Sequence, residues 1–206
     1  MIFRVAIWMI FIATNGFTLF KSFFYSPINV TKWVVQKGGS LQVDGSTNIN
    51  TFTCKITDYS NPDTISVTKN TASKDVHLPM NGTLKLNINS FNCGMAVMTH
   101  DLRKTLKAKE FPIMAIRFLT LSKLPEPNTL NNDITGWVEI ELAGVKRKFS
   151  VNYTFAATAN KGFHLKGTQH INFSDFELTP PRKLGGMIKA NERLDVEFEL
   201  NLAAII

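Results

Sequence analysis

The 206-residue chain is 44% hydrophobic and carries a formal net charge of +7. This composition excludes an intrinsically disordered chain, and the length fits one globular domain. Its 16 phenylalanines predict an aromatic-rich interior, although an ordinary packed core has the same composition. Nucleic-acid binding is not indicated, because no zinc-knuckle spacing, RNP-like signature or basic helix with interleaved aromatic residues accompanies the charge.

Residues 1–26 have the character of an export segment. Arg4 supplies a positive charge, and residues 5–13 form an uninterrupted apolar run. A membrane-spanning helix needs about 20 apolar residues, so this shorter run is typical of a secretory signal peptide. Apolar character resumes over residues 17–25 without a clear cleavage site, which keeps an N-terminal membrane anchor as the alternative. Either way, we expect residues 27–206 to form one domain that is periplasmic or secreted.

The chain has two cysteines, Cys54 and Cys93, and export would change their expected chemistry. An oxidising compartment favours disulfide formation. The spacing is far from CxxC, and no histidine lies close in sequence, so a redox or metal pair is the weaker alternative. The sequence therefore predicts a structural disulfide between Cys54 and Cys93.

The first part of the domain changes from a linker-like segment to strands. Residues 27–40 contain proline and glycines, and Trp33 to Val35 begin a first strand. From residue 41 apolar residues recur at every second position, as they do over residues 52–56. A period of two is the signature of a half-buried strand. Besides the strand start at Trp33, we therefore predict strand structure from residue 41 and over residues 52–56.

The middle of the chain combines a polar connection, a strand and a helix. Residues 57–82 predict a long connection with one short strand near Ile65 and Val67. Leu84, Leu86 and Ile88 then alternate with polar residues in the next strand. Residues 95–108 change to a four-residue apolar spacing, which predicts a short amphipathic helix that Thr99 or a neighbour caps. Its methionines suggest an adaptable lid, although core packing is the simpler interpretation.

Five further apolar patterns follow and predict the remaining strands. Their ranges are 113–121, 134–142, 145–155, 163–173 and 194–202. Residues 174–192, with two prolines and two glycines, predict a loop before the last strand.

The order of these elements predicts the architecture. Parallel sheets need a crossover element between strands, and this chain has one helix, so the sheet should be antiparallel. About eight strands with one apolar face each can curl into a barrel that hides those faces. The fold class is therefore an all-β, lipocalin-like antiparallel barrel with one short helix, and a two-sheet sandwich is the alternative.

Several motifs, taken in order, resemble the YceI-like family of periplasmic polyisoprenoid-binding, lipocalin-like proteins. The resemblance covers residues 33–204. Four motifs carry it: Gly45 to Cys54; Asp101 to Leu106, followed by Phe111-Pro112-Ile113; Leu142 to Arg147; and Ser174 to Leu178, which leads into the last strand. Two features depart from the family pattern. Gly39-Ser40-Leu41 replaces the usual histidine-serine opening, and the polar insert over residues 57–82 is long.

The resemblance implies a tubular barrel that holds an isoprenoid chain, an isoprenoid quinone, or a fatty acid or amide, with no other cofactor. Apolar inward positions would contact the tail, and the same alternation fits a filled core. The residues expected to line the ligand are Leu86, Ile88, Ile116, Phe118, Val138, Ile140, Phe149, Val151, Tyr153, Val196 and Phe198. Arg117 interrupts an apolar strand, where a buried charge needs a partner, either a strand carboxylate or an anionic head group.

The expected function is therefore lipid carriage or sequestration without catalysis. The alternative is a non-catalytic stress-response or protein-interaction module with a filled barrel. His77, His100, His164 and His170 are scattered, and the HExxH and GxSxG motifs are missing. The nearby carboxylates of residues 175 and 177 suit acid–base chemistry in principle. Their place at the end of a loop favours a surface role.

Overall fold

The computed structural model describes residues 28–70, 77–126, 132–158 and 162–205, so the export segment predicted at residues 1–26 lies outside the described residues. The strands are β1 Ile28–Thr47, β2 Thr51–Tyr59, β3 Thr64–Asn70, β4 Leu78–Asn81, β5 Thr83–Asn87, β6 Ile113–Leu121, β7 Asn132–Leu142, β8 Val145–Ala157, β9 Phe163–Asn172, β10 Arg182–Lys183 and β11 Ile188–Ile205. The helix α1 spans Ala96–Thr105. No helix within the four described ranges has the length and apolar character needed to cross a membrane.

Eight of these strands close into an antiparallel barrel. The order around the ring is β1, β3, β4, β6, β7, β8, β9, β11 and back to β1. The closing ladder between β1 and β11 extends from the Lys32–Ile205 pair to the Thr47–Ala190 pair. Strand β2 pairs with the second half of β1, and β5 pairs with β6. The predicted barrel is confirmed, and its closed ring replaces the sandwich alternative.

Alternation along each strand decides which side chains face the interior. In β8, Val151, Tyr153 and Phe155 are buried, whereas Asn152 is exposed and Thr154 lies half-exposed between them. Successive side chains of a strand point to opposite faces, so a closed sheet sends every second one inward. The same pattern in the other strands supplies one continuous apolar core.

Aromatic rings fill the centre of this core. Ring centroids of neighbouring members lie 5.9–6.4 Å apart, within the range of favourable aromatic pairs, among Trp33, Phe118, Tyr153, Phe155, Phe163 and Phe198. A Cβ added at Gly167 would lie 2.3 Å from ring carbons of Phe198. Glycine at residue 167 therefore lets this large ring lie directly against the backbone.

The connection predicted at the start of the domain is part of a strand instead. The strand start predicted at Trp33 to Val35 is confirmed, but the linker prediction for the rest of residues 27–40 is wrong from Ile28 onward, because β1 runs through this segment. Its pairing with β11 shifts between Gln36 and Ser40, and Gly38 has a φ of +90°. The glycines therefore belong to a bulge inside a continuous strand, where they permit a bend without ending the pairing.

Three other details of the prediction also change. The connection at residues 57–82 contains the expected strand at Ile65 and Val67, but it also contains β4, which was missed. The strand predicted to include Ile88 ends at Asn87. The loop at residues 174–192 is interrupted by β10 and ends where β11 begins.

The predicted helix cap at Thr99 is wrong. The helix begins one turn earlier, with Met95 as its N-cap residue. The Thr99 hydroxyl donates to the Met95 carbonyl at 2.9 Å and accepts from the Cys93 N–H at 3.0 Å. Thr99 therefore joins the helix to the segment that carries Cys93.

The predicted disulfide between Cys54 and Cys93 is present, with 4.0 Å between the two Cα atoms. It lies beside the single bridge Lys55–Asn92, where each backbone N–H donates to the other residue's carbonyl at 2.8 Å. We call this junction between β2 and the segment after β5 the seam. The covalent bond therefore secures a part of the wall that has few backbone hydrogen bonds.

Replacing both cysteines with alanine is expected to lower the free energy of unfolding by about 4 kcal/mol in the chain-entropy account. The reason is that the bond joins residues 39 positions apart and restricts the unfolded chain. Urea denaturation followed by tryptophan fluorescence measures the change. A reducing agent should destabilise the parent protein similarly and leave the double variant unaffected. A double variant as stable as the parent would show that packing alone holds the seam.

Candidate functional site

Three segments outside the barrel wall meet at one end of the barrel. They are the tip of the β1–β2 hairpin (residues 48–50), the first turn of α1, and the segment between β9 and β11 (residues 173–187). The barrel strands that end here include β1 and β11, whose residues Thr47 and Ala190 are paired. We call this end of the barrel the mouth.

An apolar cavity of about 360 Å³ opens at the mouth. Ligand pockets in proteins are typically ~300–1,000 Å³, so this cavity has the size of a small binding site. Its apolar wall combines side chains from the three segments and the adjoining strands, among them Ile49, Phe52, Met95, Met98, Leu102 and Ile188. Phe173 and Cys54 also contribute to the wall, so the cavity reaches the buried disulfide. The arrangement is suited to an apolar chain or ring.

Polar contacts fasten the mouth segments to one another. The Lys183 ammonium lies 2.7 Å from the Asp101 carboxylate, which joins β10 to α1. The Asn48 side chain donates to the Met187 carbonyl at 2.8 Å and accepts from the Lys189 N–H at 3.0 Å. Asp101 and Lys183 also line the cavity, so a charged pair borders the apolar wall.

The side chains predicted to line a ligand lie in the barrel core. Nine of the eleven are buried, and Phe149 and Val196 are half-buried. Phe118, Tyr153 and Phe198 belong to the aromatic centre, with the Phe118 and Phe198 ring centroids 6.2 Å apart. None of the eleven lines the cavity at the mouth. Their contact with a ligand stays a prediction, and the cavity has a different set of walls.

Sequence reasoning missed most residues of the mouth cavity. Met98 and Leu102 belong to the four-residue apolar spacing predicted over residues 95–108, and they do line the cavity. Ile49 gave a weaker signal, as a single apolar residue between two asparagines, and Val97 lies within the apolar start of the helix; both are more than half exposed. Periodicity identifies a buried face within one element, but it does not show which loops meet in space.

One polar atom in the aromatic centre has no partner. The Tyr153 hydroxyl is buried and forms no hydrogen bond with the described residues. Burial raises the pKa of Tyr153 far above its ordinary value. Burial and the hydrogen bond to Asp63 raise the pKa of Tyr59 to about 12. Both phenols therefore stay neutral at physiological pH, and the Tyr153 hydroxyl is a polar atom available to a carbonyl or hydroxyl that reaches the centre.

Arg117 lies on the outer face of the barrel. Its guanidinium is 3.0 Å from the Glu139 carboxylate on the neighbouring strand, and half of its side chain is exposed. The expectation of a buried charge is wrong, because the residue alternates outward between buried Ile116 and Phe118. Of the two interpretations, the structure shows the pairing with a strand carboxylate.

The residues considered for acid–base chemistry have structural contacts. Asp175 accepts from the backbone of Asn172 at 2.7 Å, and Glu177 pairs with Arg147 at 3.3 Å. His170 contacts Asp195 on the outer face, which lowers the pKa of the Asp195 carboxyl. Within the described ranges, no group of three or more His, Cys, Asp or Glu side chains is arranged to hold a metal ion.

Comparison with known proteins relates the sequence to one family and the fold to solved structures. A family model for a YceI-like domain matches residues 25–202. No curated protein matches the chain. The fold is similar to Burkholderia cenocepacia BcnA, with a TM-score of 0.56, 13% identity, and coverage of 80% of this chain and 96% of that one. It is also similar to a polyisoprenoid binding domain from Saccharophagus degradans, with a TM-score of 0.55, 12% identity, and coverage of 86% and 100%.

The ion pair at the mouth leads to a test of how firmly α1 is held. Asp101→Asn removes one charge of the pair, and exposed ion pairs contribute only about 0.2–1 kcal/mol. Amide hydrogen exchange in α1 should therefore become up to about five-fold faster, while global stability changes by less than about 1 kcal/mol. Mass spectrometry of a peptide that covers the helix measures this exchange.

Glu139→Gln is the matched control for that variant. The side chains of the Arg117–Glu139 pair are 50% and 18% exposed, against 48% and 20% for the Lys183–Asp101 pair. The control pair lies on the barrel wall, so its loss should leave exchange in α1 unchanged. If both variants accelerated exchange in α1 equally, the Asp101–Lys183 pair would not be a restraint on the mouth.

Proposed function

Because this chain belongs to the YceI-like family, we propose that it binds a long-chain amphiphilic lipid and carries or sequesters it outside the cytoplasm. The proposed ligand classes are a polyisoprenoid, an isoprenoid quinone, or a fatty acid or amide. The single observation that carries the proposal is the apolar cavity at the mouth of a closed barrel. The similar Saccharophagus degradans domain, described as polyisoprenoid binding, supports the choice of ligand class.

Burial of the lipid tail supplies the binding energy in this proposal. Each methylene group transferred from water to an apolar site contributes about 0.8 kcal/mol. The wall offers side chains such as Phe52, Met98 and Leu102 for this contact. Asp101 and Lys183 border the same space and offer one charge of each sign to a polar head group. Burial of the tail therefore supplies the affinity, and the charged pair of Asp101 and Lys183 orients the head group.

The cavity holds one end of a long chain, and the rest requires more room. In our proposal a longer tail displaces side chains of the aromatic centre, so the eleven predicted lining residues are its second set of contacts. The unpartnered Tyr153 hydroxyl supports this extension, because burial of an unsatisfied polar atom is unfavourable by about 1–3 kcal/mol. A ligand carbonyl or hydroxyl that accepts or donates there would remove that penalty.

We propose a non-catalytic role and a periplasmic or secreted location, with residues 1–26 as a signal peptide or membrane anchor. The side chains considered for acid–base chemistry contact other groups of the protein: Asp175 the Asn172 backbone, Glu177 Arg147, and His170 Asp195. These contacts support a role without acid–base chemistry. A second candidate is a stress-response or protein-interaction module with a permanently filled barrel. The closely spaced rings at the centre favour this alternative.

Identification of the bound molecule separates the two candidates. The protein is isolated from its natural source under mild conditions, extracted with organic solvent, and the extract is analysed by mass spectrometry. Lipid carriage predicts a stoichiometric long-chain hydrophobe. An empty protein that also fails to bind a fluorescent fatty acid would support the filled module and contradict lipid carriage.

Filling the cavity should weaken binding if the mouth is the site. Ala190 is buried and lines the cavity. Ala190→Phe should therefore weaken the binding of a fluorescent fatty acid by about ten-fold or more, a loss of about 1.4 kcal/mol. Fluorescence titration measures the affinity. Thermal unfolding shows whether the variant is folded, since overpacking destabilises by about 1–3 kcal/mol.

Ala204→Phe is the matched control for this experiment. It makes the same change on the same strand, but at an exposed position near the other end of the barrel. Its affinity should equal that of the parent protein. If both variants bound the probe as tightly as the parent does, the mouth cavity would not be the lipid site.

A series of fatty acids of increasing length tests how deep the tail enters. Affinity should rise about four-fold for each added methylene, equivalent to about 0.8 kcal/mol, while apolar space remains. A plateau after a few methylenes would restrict binding to the mouth cavity. A continued increase in affinity over a long chain would show that side chains of the aromatic centre move aside to admit the tail. Isothermal titration with each acid, kept below its aggregation limit, measures the slope.

A further inference from the structure

The five most exposed large apolar side chains of the described residues all lie around the mouth. They are 59–71% exposed and comprise Met187, Val97, Leu184, Ile49 and Met95. The other exposed large apolar side chains reach at most 48%, as at Val30 and Ile205 at the opposite end. Clustered apolar side chains on a surface mark contact with a protein or a membrane, whereas isolated ones are ordinary.

Positive charge flanks the most exposed part of this apolar ring. Residues 182–189 place Arg182 and Lys183 before Leu184, and Lys189 after Met187, and contain no acidic residue. Lys183 pairs with Asp101. Arg182 and Lys189 form no ion pair with the described part of the chain and are exposed. Two cations are therefore free to meet an anionic surface beside the apolar tips.

We propose that the mouth docks onto the surface of a lipid bilayer that contains anionic lipids. The five apolar side chains insert between head groups, and Arg182 and Lys189 lie beside lipid phosphates. Interfacial segments typically combine an apolar face buried ~5–10 Å into the head-group boundary with flanking Lys and Arg. This inference goes beyond the proposed lipid binding, because it names the surface on which the protein would load or release its ligand.

The position of the cavity favours a bilayer over a protein partner. The cavity opens inside the apolar ring, with Ile49, Met95 and Val97 belonging both to its wall and to the exposed set. A tail that moves from the bilayer into the cavity therefore stays in contact with apolar groups. Transfer through water would be slower by about four-fold for each exposed methylene. The unpaired cations add complementarity to anionic head groups.

Site-specific quenching tests the docking in the full chain. Met187→Trp places a fluorophore at the mouth, and Val30→Trp places one at the opposite end. Both are mixed with vesicles of phosphatidylcholine and phosphatidylglycerol that carry brominated acyl chains. The added fluorescence, after subtraction of the parent's signal, should be quenched for Met187→Trp and not for Val30→Trp. No quenching at residue 187, or stronger quenching at residue 30, would overturn the proposal, even if the N-terminal segment itself binds vesicles.

Charge variants test the role of the two cations. Arg182→Gln with Lys189→Gln should weaken docking to the anionic vesicles by about 25-fold, about five-fold per cation. Binding to pure phosphatidylcholine should stay the same. The control changes Lys69→Gln and Lys123→Gln, two exposed lysines at the other end of the barrel. Equal losses from both pairs would assign the effect to net charge and contradict docking through the mouth.

Two further outcomes separate this inference from its alternatives. If sedimentation without vesicles showed a dimer that Leu184→Ser with Met187→Ser converts to a monomer, the face would be an interface between copies, and docking would be overturned. Binding of a fluorescent fatty acid is measured on the parent protein in parallel. Intact fatty acid binding without quenching at residue 187 contradicts docking alone. Quenching without fatty acid binding supports docking and contradicts the proposed function.

Discussion

Closure of the barrel is the constraint from which the other features follow. When eight strands form a ring, every second side chain points into one shared volume, and protein interiors are packed nearly as densely as organic crystals. In this chain six contacting aromatic residues, two of which are Tyr153 and Phe198, fill the centre of that volume, and aliphatic side chains fill the rest. Gly167 makes room for the ring of Phe198. The centre is therefore closely packed, and the apolar cavity lies at the end of the barrel.

The barrel could be predicted because burial of one strand face is a local property. Alternation in β8 or β11 is readable without knowledge of their partners. The early part of β1 was read as a linker because glycine suggests a turn, whereas Gly38 lies in a bulge that keeps the strand paired. Strand β4 has only four residues, too few for a period of two to be recognised.

The mouth could not be predicted, because it is built by contacts between distant segments. The bond from Asn48 to the carbonyl of Met187 joins residues 139 positions apart. The pair of Asp101 and Lys183 joins the helix to a two-residue strand that no pattern indicated. Alternation gives the inward face of each strand and thus the core, but a cavity formed by loop ends depends on where those ends meet.

The contacts that hold each part of the barrel differ in strength, and this difference favours the mouth as the route for a ligand. The wall between β7 and β8 is a ladder of eleven residue pairs, so opening it would break many backbone hydrogen bonds together. The mouth segments are joined by one exposed ion pair and by scattered hydrogen bonds, among them three that Asn48 makes with Met187 and Lys189, each worth about 1 kcal/mol. The seam is sparse as well, but the disulfide of Cys54 and Cys93 holds it closed. Local opening follows the weakest contacts, and here those contacts surround the apolar cavity.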